Sequence, residues 1–155
     1  MSLAAHINDQ FEKAPFDQAS RIRISYGDFR VRVKLADWNR LGCLLERIDV
    51  EHSQGGKLTV NPSRIEERVT YLGEKLGVLE DEGEGGTVIL RSKPPRIDGG
   101  VSSFFEMVLN QNRGISLVRY KYDPQFGQRV QVPSALTRDA LERLVSDLVG
   151  LAQES

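Results

Sequence analysis

Two short runs of strict alternation stand near the start of the chain. Ile22, Ile24 and Tyr26 alternate with Arg21, Arg23 and Ser25; then Val31, Val33 and Leu35 alternate with Arg30, Arg32 and Lys34. A period of two with one apolar parity is the pattern of a strand buried on one side, and Gly27-Asp28 between the runs supplies a hairpin turn. Leu44, Ile48 and Val50 continue on one parity, with Leu45, Arg47, Asp49 and Glu51 on the other. Ser53-Gln54-Gly55-Gly56 is turn chemistry, and 57–60 reads as a returning strand. Four antiparallel strands are therefore expected in the first half.

Helical periodicity brackets these strands. Leu3, Ile7 and Phe11 recur at spacing four before Pro15, which predicts a short amphipathic N-terminal helix. Asn61-Pro62 is an N-cap followed by proline at the first helical position, and Ile65, Val69, Leu72 and Leu76 then predict a long helix. In the second half, 87–91, 101–109, 115–122 and 128–132 are strand-like. Leu141, Leu144, Val145, Leu148 and Leu151 mark one face of a closing helix.

The two halves echo one another. Shifted so that Leu45 falls on Leu117, the stretch 45–62 lies on 117–134 without a gap, placing Arg47 on Arg119, Gly55 on Gly127, Lys57 on Arg129 and Val60 on Val132. At the same offset Gly27 meets Gly99, Gly42 meets Gly114, and Val69, Leu72 and Leu76 meet Leu141, Leu144 and Leu148. The expected fold is α+β: a duplicated ββββα unit forming an antiparallel sheet of about eight strands, with two long helices on one face and a short N-terminal helix. The expected organisation is one compact domain over residues 1–155. Its units run from about 20 to 79 and 87 to 151, joined by an acidic, glycine-rich linker at 80–86.

Composition adds little until it is placed on this sheet. The 155 residues carry 21 Lys plus Arg against 22 Asp plus Glu, so net charge gives no general prior for an anionic partner. One parity of the expected sheet, however, collects Arg21, Arg23, Arg30, Arg32, Lys34, Arg47, Lys57, Arg91, Arg119, Lys121 and Arg129 against Asp49, Glu51, Glu106 and Asp123. Phe104 shares that parity. Such a face suits a non-enzymatic binding or adaptor protein, whose partner is another protein or an anionic macromolecule. A nucleic-acid-binding sheet platform, with Phe104 stacking a base, is the alternative. Ordinary cross-strand pairing of surface charge is the bland account of the same residues. A two-fold repeat also invites self-association into a homodimer.

Candidate chemistry is sparse. His6 and His52 lack further ligands at metal spacing, Cys43 stands alone, and the run Glu80, Asp81, Glu82, Glu84 lacks the ladder of a calcium loop. No cofactor motif occurs; Gly85-Gly86 and Gly99-Gly100 precede no Lys-Ser/Thr. An enzymatic reading requires a cleft between the units, near Asp37, Asn39 and Arg40 and their echoes at 110–113. Tyr120, Tyr122 and Phe105 are expected in the core and Trp38 as a loop anchor. With no apolar run of membrane-spanning length and no leader-like start, a cytoplasmic protein with no membrane partner is the expectation.

Overall fold

The computed structural model describes residues 2–14, 19–83 and 85–154. The chain opens with α1 (Leu3–Lys13), capped by Ser2, whose hydroxyl accepts from the Ala5 amide at 3.2 Å. Three strands follow: β1 (Ser20–Tyr26), β2 (Phe29–Trp38) and β3 (Gly42–His52). A short α2 (Pro62–Arg68) precedes β4 (Leu76–Asp81), β5 (Thr87–Ser92) and β6 (Arg96–Asp98). The second half continues through β7 (Val101–Asn110), β8 (Gly114–Asp123), β9 (Gln128–Val132) and β10 (Ser134–Thr137) into α3 (Arg138–Gln153). Ten strands form one sheet, and every pairing in it is antiparallel. The α+β class and the antiparallel sheet are as expected.

The path of the sheet is β1-β2-β3-β8-β7-β5-β4. Its centre is a seam that splits. β3 and β8 pair only over Ile48↔Leu117, Asp49↔Ser116 and Val50↔Ile115. Beyond Ile48 and Leu117 they diverge. β9 takes the freed edge of β8 and β10 takes the freed edge of β3, with Pro133 as the joint between them. A proline has no amide to give to a ladder, so it belongs at a point where the strand changes partner.

One face of the sheet is covered. Ile22, Ile24, Val31, Val33, Ile48, Val50, Leu90, Met107, Ile115 and Leu117 pack there with Leu141, Leu144, Val145 and Leu148 of α3 and with Ile7 and Phe11 of α1. Phe11 meets Trp38 at 5.6 Å between ring centroids, and Arg138 lies over Trp38 while donating to Glu12 and Glu142. Trp38 thus anchors both terminal helices from the end of β2, rather than a loop alone.

Three expectations are corrected. The helix after Asn61-Pro62 is seven residues long, not a match for α3, because the backbone leaves the helical region and Gly73 sits at φ +83°. Ile65, Val69, Leu72 and Leu76 are nevertheless all buried: Ile65 by α2, Val69 and Leu72 by the irregular backbone after it, and Leu76 by β4. Residues 57–60 form no strand. Finally, apart from Glu84, which lies outside the described residues, the acidic stretch belongs to a β4–β5 hairpin, in which Glu80 and Asp81 are part of β4 and the Glu82 amide donates to the Thr87 carbonyl. The offset that carries Leu45 onto Leu117 also carries the starts of β2 and β3 onto those of β7 and β8, but it carries β4 onto α3, so the expected duplicated ββββα unit with two long helices is not reproduced. Among the described residues, no helix is long and apolar enough to cross a membrane.

Candidate basic face of the sheet

The face turned away from the helices divides into two chemically different halves. On β1, β2 and β3 it is built from charge. Arg21 stands opposite Lys34, Arg23 opposite Arg32 and Lys34 opposite Arg47. Like charges directly across an antiparallel pair repel, so this arrangement opposes folding locally. Carboxylates offset part of it: Glu51 lies 3.6 Å from Arg30 and 3.5 Å from Arg32, Glu46 lies 3.2 Å from Lys34, and Asp49 lies 2.8 Å from Arg47. The bond to Asp49 raises the pKa of Arg47 against the opposing effect of burial. The guanidiniums of Arg21 and Arg23 engage no partner among the described residues. Arg21, Arg23, Arg32, Lys34 and Arg47 line one shallow depression of about 320 Å³, with Asp49 its sole carboxylate among the described residues.

The second half of the same face is aromatic. Phe104 is opposite Tyr120, Ser102 opposite Tyr122, and Glu106 opposite Val118. Arg91 lies 4.7 Å from the Phe104 ring centre and Arg129 lies 4.0 Å from that of Tyr120. Both arginines donate to Glu106, at 2.7 and 3.1 Å, which buries that carboxylate on the face the helices leave open.

Not every residue expected on this face reaches it. Arg119 and Lys121 point to the helix side: Arg119 pairs with Phe105 in the ladder, stacks on its ring at 4.6 Å and donates to Glu74 at 2.7 Å. The reason is a pair of β-bulges. Lys34 faces Arg47 but Leu35 faces Leu45, so Glu46 is an extra residue in β3, and Ala36 is another in β2. β8 pairs with β7 without a shift, so a constant offset carries Arg47 onto Arg119 with the wrong parity. Leu45 is therefore core and Leu44 is not. The same flip brings Tyr120 and Tyr122 to the open side, while Phe105 stays in the core as expected. Lys57 lies in the loop after β3, outside any strand. Phe104 is on the open face but only 7% exposed, capped by Arg91. Sequence reasoning passed over Glu106 as the hub of this half. No sequence signal marks it, because Arg91, Glu106 and Arg129 meet only once β5, β7, β8 and β9 have become neighbours.

The remaining candidates hold turns. Asn39 Oδ1 accepts from the amides of Leu41 and Gly42, and Asn110 Oδ1 accepts from those of Asn112 and Arg113. These two turns lie at opposite ends of the antiparallel β3–β8 pair and do not converge on a cleft. His52 Nδ1 accepts from the Gly56 amide at 3.3 Å. Cys43 is buried in the core, which pushes its thiol up to about 11. No cluster of three or more His, Cys, Asp or Glu able to hold a metal ion occurs among the described residues. Compared with models of protein families, with curated proteins and with solved structures, the chain matches none.

Proposed function

We propose that this protein is a non-enzymatic binding or adaptor protein that engages an acidic protein segment through the β1–β3 half of its open sheet face. The observation that carries this reading is the depression in which five cationic side chains meet one carboxylate. Local rules of cross-strand pairing are broken there, and such violations concentrate where a surface serves a partner. The exposed ion pairs around it are each worth little, so exchanging them for a partner's carboxylates is inexpensive. β1 also ends the sheet, with no described strand on its outer edge. An extended segment added there would run its alternate side chains beside Arg21 and Arg23, which project from the open face of that strand. A carboxylate ladder on the partner matches them; a second copy of β1 would bring arginine against arginine.

Nucleic acid fits less well. Sheet platforms for single strands offer bare aromatic faces, whereas Phe104 and Tyr120 here are covered by Arg91 and Arg129. Fluorescence polarisation with a labelled poly-glutamate peptide and a labelled single-stranded DNA, across a salt series, tests the reading. Binding of the peptide at low salt should weaken steeply with ionic strength and fall about tenfold or more in Arg21→Ala/Arg23→Ala. Peptide binding that ignores both salt and that double substitution would refute it, and DNA bound more tightly than peptide would move the assignment to nucleic acid.

A further inference from the structure

The aromatic half of the open face holds a cleft of about 430 Å³, a size ordinary for small-ligand sites. Its hollow has a simple origin. Ser102 is a small residue between two large ones in the same ladder row, Ile97 on β6 and Tyr122 on β8, so the row dips at its centre. Phe104 forms the inner end, and Leu79 and Tyr122, exposed by 42% and 37%, stand at the sides. Large apolar side chains left open to water on both sides of one hollow mark a site that something apolar fills.

The charge around it has one sign. Arg91, Lys93 and Arg129 line the cleft, and among the described residues no acidic one does. Glu106, the carboxylate that joins the two arginines, lies nearly buried and outside the lining, and it leaves donors over. Arg91 binds Glu106 through one terminal nitrogen while its Nε is buried without an acceptor. Arg129 binds through Nη1 alone and its side chain is 45% exposed. Lys93 reaches the Val78 carbonyl, which leaves an ammonium its full charge and two further protons. The Arg91 Nε has no surface open to the cleft, so it is the exposed guanidinium protons of Arg129 and the ammonium protons of Lys93 that call for an anionic acceptor.

We infer that this cleft binds a small amphipathic organic anion, an apolar carboxylate. Its hydrocarbon body lies over Ser102 against Phe104, Leu79 and Tyr122, and its head group meets Arg91, Lys93 and Arg129. The site is separate from the basic depression on β1–β3 and does not depend on that reading.

Isothermal titration calorimetry of the full chain with sodium decanoate, and in parallel with decyltrimethylammonium at equal ionic strength, tests it. Decanoate should bind with one-to-one stoichiometry, and the cation about tenfold more weakly or not at all. Ser102→Trp, which fills the hollow from a solvent-facing strand position, should abolish decanoate binding. Lys93→Gln should weaken it by roughly three- to tenfold, and because that side chain lies at the surface this variant carries the test even if Ser102→Trp fails to fold. Absence of decanoate binding, equal affinity for the two amphiphiles, or an affinity unmoved by Lys93→Gln would overturn the assignment.

Discussion

Arg119 and Glu74 form an ion pair at 2.7 Å on the helix-covered side of the sheet, with side-chain exposures of only 11% and 14%. Glu74 accepts from Arg119 through Oε2, and its buried Oε1 has no hydrogen-bond partner among the described residues, so this carboxylate relies on Arg119. Arg119→Ala should therefore cost about 3–5 kcal/mol in urea unfolding, because it strands a buried charge. Adding Glu74→Ala should recover part of that loss, since the double variant removes the unpaired group along with its partner.

Arg23 faces Arg32 across β1 and β2. Arg23→Glu converts a repulsion into an attraction and should raise stability by about 0.5 kcal/mol while it lowers poly-glutamate affinity. Opposite signs in the melting curve and the binding isotherm are the expected signature of a surface kept for a partner. A fall in both would show that Arg23 serves the fold.

Burial raises the Cys43 thiol from 9.0 to about 11. At pH 8 the native protein should react with iodoacetamide about a hundredfold more slowly than the urea-unfolded chain, since the thiolate is the nucleophile. The sign for stability follows from the same shift. The folded state holds this proton where the unfolded state has released it, so the contribution is intact below pH 9 and is lost as pH climbs towards 11. Cys43→Ala should flatten that part of the stability profile.

Gly114 opens β8 at φ +97°, and a Cβ there would lie 2.0 Å from the Val50 carbonyl oxygen. Neither the backbone nor the neighbouring strand can yield without opening the seam. Gly114→Ala should cost about 3 kcal/mol or more, measured by thermal or urea unfolding. Gly127→Ala, also at positive φ but with nothing within 4 Å of its Cβ, should cost less, because only the backbone is strained.

The elements legible in the sequence are those whose pattern is periodic and locally satisfied. β1 and most of β2 read residue by residue, and α3 reads from its apolar face. What could not be read are single-residue events. The bulges at Ala36 and Glu46 carry no compositional mark, yet they decide which of Leu44 and Leu45 enters the core and why Arg47 and Arg119 part company. The apolar spacing of Ile65, Val69, Leu72 and Leu76 reported burial correctly at all four positions, and the Asn61-Pro62 start is where α2 begins, but the helix holds only Ile65 of the four. β4 was hidden by its acidic end, and its outer side is satisfied at Val78 by side chains, Glu66 at the amide and Lys93 at the carbonyl. Of the candidate site, the cations of β1 to β3 were in reach of pattern reasoning. The Arg91–Glu106–Arg129 hub was not, since it depends on which strands become neighbours.

The joint at Pro133 also bears on the order of assembly. β2–β3 and β7–β8 are hairpins that can close early from nearby sequence, but the freed edge of β3 stays open until β10, far downstream, arrives to occupy it. Loop closure over that separation is slow, and α3 can reach α1 only after it. The half of the sheet that carries the arginines is thus completed by the last quarter of the chain. An intermediate with both hairpins formed would display an unfilled groove between them, and β9–β10 is the clasp that shuts it.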